Sequence, residues 1–329
     1  MPQLKELAEI CRGKRVFIQT HNFPDPDAIA SAFGLQKLLE AFGVPASIFY
    51  AGRIDKVSAL KMLDMFGVAM CPYEQLQEEM QASDYIICVD SQKNAGNITD
   101  FVGQEVACID HHPTFVEEEY LYRDVRITGA CASLIAEYFL QEGLTPDSDT
   151  ATALLYGLKM DTLQFSRGVT HQDIEMFGYL YPLCDHDKLH LLERNNMEYT
   201  DLKAYGAAIE SIAIYGKVGF SYIPFSCPDA LIGILSDFIL ALNEVDIAVV
   251  ASRREDGIKM SVRSESEEVH AGELIHAALS DLGDGGGHAA MAGGLIRSER
   301  VPELGNYPQT YLTRLFLETL EQKGFPTEH

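Results

Sequence analysis

Residues 15–42 open with Arg15-Val16-Phe17-Ile18-Gln19-Thr20, continue as His21-Asn22-Phe23-Pro24-Asp25-Pro26-Asp27, and end in the run Ala28 to Phe42. The first six residues form a short apolar stretch of strand type. The next seven are rich in proline and aspartate and read as a loop. From Ala28 onward, Ile29, Phe33, Leu35, Leu38, Leu39 and Phe42 recur at helical spacing. Gly43 and Pro45 then stop the helix, as a C-terminal glycine and a following proline do. Strand, polar loop and amphipathic helix in that order make one βα unit, and the unit repeats. Ala46 to Tyr50, Tyr85 to Val89 and Glu105 to Ile109 are further compact strands, while Ser133 to Gln141 and Thr150 to Lys159 read as helices. Alternation of this kind predicts an α/β fold with a mainly parallel sheet and helices on both faces.

Around Cys184 to Tyr205 the pattern turns polar, which suggests a partly helical connector. Beyond it, Ala213 to Tyr222 and Asp246 to Ser252 read as strands. Glu255-Asp256-Gly257 is a hairpin turn, and Ile258 to Arg263 is the return strand. Ile258, Met260 and Val262 share one face of that strand, and Lys259, Ser261 and Arg263 the other. A helix (Ala271 to Leu279), a glycine run (Gly285 to Gly287) and a closing strand (Ala292 to Ile296) follow. The expected organisation is a first domain over 1–185, a helical linker over 186–205 and a smaller mixed α/β domain over 206–329. The active site is expected in the cleft between the two domains.

Composition narrows the function. The 329 residues carry 49 Asp and Glu against 25 Lys and Arg, a net charge of −24. The deficit is spread along the chain, so no basic half or tail is hidden in the average. A groove for long DNA or RNA needs basic excess, which this chain lacks. An anionic substrate would need a local reversal of the field. Met1 to Cys11 reads as an acid-containing amphipathic helix rather than a signal peptide, and no uncharged apolar stretch is long enough to span a membrane. Seven dispersed cysteines without a C-x-x-C pair suggest reduced thiols and a cytoplasmic protein. Cys88 and Cys108 lie inside apolar runs and read as core residues.

Four groups of polar residues fall at the ends of elements. His21, Asp25 and Asp27 follow the first strand. Asp90 follows Tyr85 to Val89. Asp110, His111 and His112 follow Glu105 to Ile109. Asp161 ends the segment Ala151 to Met160. In open parallel sheets, ligands bind outside the carboxyl ends of the strands. Singly, each residue has an ordinary reading: His21 on the surface, Asp27 as a helix N-cap, Asp161 as a helix-end acid. Together, the carboxylates would repel one another unless a divalent cation removed that cost. A mixed His and carboxylate set suits Mn, Fe or Zn better than calcium. Two such ions bridged by a shared aspartate are a common arrangement for phosphoester hydrolysis.

At these positions the chain resembles the DHH phosphoesterase superfamily. The stretch from His21 to Ala28 matches the pattern H-x-x-P-D-x-D-A. Val89-Asp90-Ser91, Asp110-His111-His112-Pro113 and Gly157-Leu158-Lys159-Met160-Asp161-Thr162 match its later motifs. Ser261-Val262-Arg263-Ser264 and Gly285-Gly286-Gly287-His288 resemble the DHH-associated substrate-binding domain. The resemblance implies two divalent ions, usually Mn. One would be held by His21, Asp25 and Asp90, the other by Asp27, Asp90, His111 and Asp161, with Asp90 bridging. It places His112 near the phosphate and Asp110 behind a histidine, the two catalytic candidates. It implies substrate binding by Arg263, Ser264, Gly285, Gly286, Gly287 and His288. Two departures bear on substrate preference: Met291 replaces a small residue, and Asp284 stands where many relatives have a fourth glycine.

Among such relatives, two-domain chains of this length resemble the nanoRNase and 3′-phosphoadenosine 5′-phosphate phosphatase group. The implied substrates are therefore short oligoribonucleotides or that bisphosphate, with no long duplex nucleic acid, no membrane and a homodimer as the assembly. The alternatives are a linear or cyclic dinucleotide phosphodiesterase, a manganese inorganic pyrophosphatase, or a nucleotide-binding regulator without activity.

Overall fold

The computed structural model describes residues 3–54, 57–114, 116–194, 197–325 and 327. Met1 and Pro2 of the expected first helix, and Asn195 and Asn196 of the expected connector, lie outside them. The chain divides into two compact units, Met1–Asn196 and Met197–His329. Among the described residues no helix is long and apolar enough to cross a membrane.

The first unit runs α1 (Leu4–Cys11), β1 (Val16–Gln19), α2 (Pro26–Ala41), β2 (Ala46–Tyr50), α3 (Val57–Phe66), β3 (Met70–Pro72), β4 (Tyr85–Val89), β5 (Gln104–Asp110), β6 (Tyr122–Val125), α4 (Cys131–Gln141), α5 (Ser148–Asp161), α6 (His171–Leu180) and α7 (His186–Glu193). Its strands form one sheet in the order β3-β2-β1-β4-β5-β6, and every neighbouring pair is parallel. The order reverses between β1 and β4, which opens a crevice at their carboxyl ends.

One face of this sheet, with Val16, Ile18, Ile48, Ile87, Val89 and Ile109, packs in one core with residues from all seven helices. The other face is different. Phe17, Phe49, Ile86 and Cys88 are covered by Tyr73, Leu76, Met80, Ile98 and Phe101 from a 3-10 turn and loops. The expectation of helices on both faces is thus corrected: among the described residues they cover one. Right-handed crossovers explain the asymmetry. Past the reversal, the β4–β5 connection must cross the opposite face, and it does so as a loop.

Helix α2 packs most intimately on α5. Two glycines permit this. A Cβ on Gly34 would lie 3.1 Å from the Leu154 side chain, and one on Gly157 would lie 3.1 Å from the Asp27 Cα. Asp27 is thereby held at the centre of the helix layer.

The second unit runs α8 (Asp201–Ser211), β7 (Ala213–Tyr215), β8 (Val218–Ile223), α9 (Asp229–Leu240), β9 (Ile247–Arg254), β10 (Gly257–Ser264), α10 (Ala271–Leu279), β11 (Asp284–Gly287), β12 (Met291–Arg297) and α11 (Pro308–Gln322). The sheet order is β11-β12-β10-β9-β8-β7, with β8–β9 parallel and the other pairs antiparallel. One face packs on α10 and α11, the other on α8 and α9.

Two sequence expectations change here. Ala213 to Tyr222 is a hairpin rather than one strand, turning at Gly216 with φ +57°. The glycine run forms an edge strand. The stretch expected as a connector forms α7, whose Leu189 and Leu192 enter the first core, and the start of α8, whose Ala204 and Ala208 enter the second. A polar composition concealed these few buried side chains.

Candidate metal centre

Asp25 is the N-cap of α2, and its Oδ1 accepts from the N–H groups of Asp27 (3.0 Å) and Ala28 (3.2 Å). Pro26 at the first helical position needs no such partner. Asp27, 1 % exposed, points the other way. It accepts from the Cys131 N–H (2.7 Å) and the Ala132 N–H (2.9 Å), closing the start of α4, whose own N-cap is Ala130. Two helix N-termini therefore face this pair of carboxylates, which favours negative charge there.

Asp90 ends β4 in a left-handed conformation, φ +57°. That geometry costs a non-glycine residue about 1–2 kcal/mol. It turns a 3 % exposed carboxylate over the crevice between β1 and β5. Oδ2 of Asp90 lies 3.5 Å from His21 Nε2, and Oδ1 lies 3.3 Å from His111 Nε2. One carboxylate thus faces two histidines through different oxygens. His111 Nε2 is also 3.3 Å from Asp161 Oδ2 and 4.0 Å from Asp27 Oδ2.

The remaining ring nitrogens fix the tautomers. His21 Nδ1 is 2.8 Å from the Asn22 carbonyl and His111 Nδ1 is 3.0 Å from the Thr128 carbonyl. A carbonyl only accepts, so each Nδ1 carries hydrogen. In the neutral ring each Nε2 is then a lone pair facing carboxylate oxygens. Asp90 Oδ1 is buried and lacks a hydrogen-bond donor. Acceptors converging on acceptors need either protons or a cation.

The titration behaviour has the same origin. Burial, followed by the Asp90 and Asp161 carboxylates, pushes Asp27 well above the usual carboxylate range. Burial, then Asp25, raises Asp161 to about 6. For Asp90, burial is outweighed by His111 and His21, which hold it at about 2. Burial would lower His21 and His111, but the facing carboxylates raise both well above the usual imidazole value. Without a cation, protons on the histidines balance the acids.

Three groups place one donor atom each within 4.8 Å of the others: His21, Asp25 and Asp90; Asp27, His111 and Asp161; and Asp90, Asp110, His111 and His112. The donor set fits divalent cations. The first two groups would hold one ion each, with Asp90 between them.

Asp110 is 1 % exposed and serves His112. Its Oδ1 accepts from the His111 N–H (2.8 Å) and from His112 Nδ1 (2.9 Å). Its Oδ2 accepts from Gln92 Nε2 (2.7 Å), which also donates to the His112 carbonyl (3.1 Å). Gln92 went unnoticed in the sequence. It follows Asp90 by two positions, and nothing in its residue type signals the role. Thr128, whose carbonyl orients His111, contributes through its backbone and has no sequence signal either.

In the second unit, Arg263 lies on β10 opposite Met291 of β12. His288, past the end of β11, donates its N–H to the Met291 carbonyl at 2.7 Å, so both residues stand at the same end of the sheet. The expected polar face of β10 is corrected: α9 covers it, Ser261 is buried and the Arg263 side chain is only 15 % exposed. Ser264 is turned inward, its hydroxyl donating to the Val269 carbonyl (2.8 Å). Within the glycine run, a Cβ on Gly285 would press on Ile275 and one on Gly287 would strike Ala292, whereas Gly286 faces open space. Asp284 pairs with Arg297 at the exposed end of β11.

Residues 15–158 match the DHH family, N-terminal domain, and residues 216–311 match the DHHA1 domain. An uncharacterized protein of Methanocaldococcus jannaschii is 28 % identical over 284 residues, covering 85 % of this chain and 58 % of that protein. A probable manganese-dependent inorganic pyrophosphatase of Streptococcus pyogenes is 27 % identical over 319 residues, covering 88 % of this chain and 97 % of the relative. Among solved structures, an exopolyphosphatase-related protein from Bacteroides fragilis superposes with a TM-score of 0.79 at 18 % identity, over 98 % of this chain and 95 % of the other. The exonuclease RecJ bound to manganese gives 0.52 at 17 % identity, over 94 % and 93 %. These two likenesses establish the fold.

Proposed function

Because the chain belongs to the DHH superfamily, with a DHH N-terminal domain and a DHHA1 domain and hence a metal-dependent phosphoesterase chemistry, we propose that it hydrolyses short oligoribonucleotides and 3′-phosphoadenosine 5′-phosphate with two manganese ions. The observation that carries the metal chemistry is Asp90, buried, strained and shared between two His and carboxylate groups. The relatives' manganese supports that choice of ion.

His21, Asp25 and Asp90 would hold one ion, and Asp27, Asp90, His111 and Asp161 the other. When bound, the ions lower the pKa of a water to near neutral and offset charge on the phosphoryl oxygens. The protein residues do the rest. Asp110 fixes the ring of His112 through Nδ1, and Nε2 is the nitrogen proposed to meet the substrate. Burial lowers the His112 pKa, but Asp110 and Asp90 outweigh it and raise the net value. His112 can therefore keep a proton at Nε2 and give it to the departing oxygen. Arg263 and His288 bind phosphate in the second unit, where the guanidinium offers a planar fork.

The −24 charge limits the substrate to pieces short enough for these few cations. A second copy of the chain is the proposed partner, and sedimentation at micromolar concentration tests it by the mass found. Inorganic pyrophosphate is the second reading, supported by the streptococcal relative. Against it, the side chains that meet the Arg263 guanidinium among the described residues are Asp237 and Ser261, neither of them a second cation. A manganese-supplemented product assay decides, comparing 3′-phosphoadenosine 5′-phosphate, a dinucleotide, a long single-stranded RNA and pyrophosphate. Fastest turnover of one of the first two is expected. Fastest turnover of pyrophosphate or the long RNA would refute the substrate assignment.

A further inference from the structure

Helix α9 has a glycine in its second turn, at Gly233. Glycine weakens a helix interior relative to alanine. Gly233 has an ordinary helical backbone, so conformation does not call for it. Nor does the packing of α9 against the sheet: among the described residues, a Cβ there would meet one atom within 4 Å outside its own helix. That atom is Arg263 Nη2, at 3.0 Å. Asp237 follows one helical turn later, on the same face of α9. Its Oδ1 accepts from Arg263 Nε at 2.6 Å. Arg263 Nη1 donates to Ser261 Oγ at 3.0 Å and to the Val262 carbonyl at 3.3 Å. Three of the five guanidinium hydrogens are thus tied to the protein's own groups, while the two on Nη2 lie over Gly233 with no hydrogen-bond partner among the described residues.

We propose that Gly233 and Asp237 are positioning residues for Arg263: the carboxylate fixes the plane of the guanidinium, and the absent side chain leaves room for Nη2 to present both its hydrogens to a substrate phosphate. This rests on the reading in which Arg263 binds substrate. An arginine–aspartate pair whose carboxylate is 37 % exposed contributes little to stability by itself. A glycine whose missing side chain makes room for that same arginine gives the pair a purpose beyond stability. The arrangement also explains how an arginine only 15 % exposed retains binding capacity. Nε and Nη1 hold it, and the hydrogens of Nη2 remain over for a ligand.

The test is a set of KM and kcat values, measured with whichever of 3′-phosphoadenosine 5′-phosphate, diadenylate and pyrophosphate the manganese-loaded enzyme turns over fastest. Asp237→Ala is expected to raise KM about fivefold to tenfold with kcat within about twofold, and Asp237→Asn, whose amide oxygen still accepts, to recover part of the loss. Gly233→Ala is expected to raise KM about threefold while the melting temperature stays level or rises, because alanine favours the helix. In an Arg263→Ala background, Asp237→Ala should add nothing further. A KM increase of the same factor in that background would show that Asp237 acts independently of Arg263 and overturn the proposal. So would unchanged KM in Asp237→Ala and Gly233→Ala when Arg263→Ala raises it. Unchanged KM in Arg263→Ala itself would remove the underlying reading, and this proposal with it.

Discussion

In the first unit the candidate ligands His21, Asp90 and His111 stand at the ends of strands, whereas in the second the candidate Arg263 stands on the face of one. The difference decides how each is held. His21, Asp90 and His111 leave β1, β4 and β5 at the carboxyl edge, where chain direction and the order reversal of the sheet bring them together. Their convergence is a property of topology. The orientation of Arg263 depends on which helix lies over β10, because Asp237 and Gly233 of α9 meet its guanidinium. The first site concentrates charge: four carboxylates (Asp25, Asp27, Asp90, Asp161) and two imidazoles, ordered by strain and buried backbone N–H groups. The second has a single arginine held by one carboxylate, one hydroxyl and a backbone carbonyl beside a glycine. A site of the first kind should fail completely when its shared ligand is lost. One of the second kind should weaken by degrees.

The largest effect expected is on Asp90. Asp90→Ala should reduce kcat by about a thousandfold or more, since both groups lose their common carboxylate. Turnover near wild type in manganese buffer would break the comparison at its first term. Next is His112→Gln, expected to lower kcat about a hundredfold with little change in metal content. Gln92→Ala, which removes one donor to Asp110, should lower it by about tenfold, and equal losses in the two would mean that Gln92 does more than orient. Arg263→Ala should raise KM about tenfold to a hundredfold and leave manganese binding alone. A loss of metal in that variant would mean the two sites are not separate in function.

The smallest effect concerns stability. Asp161 sits at about 6 in the metal-free protein, above its ordinary value near 3.8. Its carboxylate is therefore ionised at a cost in the folded state once the pH passes 6, while the unfolded chain bears no such cost. His21 and His111 are raised instead, so the stability they lend is lost as pH climbs through their folded values. Both effects weaken the metal-free fold at high pH, where a cation helps most. Manganese should raise the melting temperature more at pH 8 than at pH 5, by about 5 °C. An equal increment at both values would argue against a cation among these groups.

The strands that carry the site were legible because each is a compact apolar run ending in an acid or histidine; Tyr85 to Val89 matches β4 residue for residue. What escaped had weaker local signals. Helix α9 is apolar nearly all round, with Leu231, Ile232, Leu235 and Ile239 buried and Ile234 and Phe238 exposed, so its period does not stand out. Helix α6 had a signal that went unused, the capping box of Thr170 and Asp173. Strand β6 is four residues long with Arg123 and Asp124 at its centre, too short and charged to register. The His, Asp and Arg candidates followed from residue type and position, whereas Gln92, Gly233 and Asp237 meet those candidates through contacts that only the folded chain creates. The same limit applies to Arg263: the periodicity of β10 gives the side of the strand but not what covers it.

The central claim is that the first unit binds two divalent ions sharing Asp90. Calorimetric titration of the metal-free protein with manganese, repeated on Asp90→Ala, tests it directly. The account predicts two equivalents per chain in the wild type and loss of both high-affinity sites in the variant. A single equivalent, or two that survive the substitution, would contradict it.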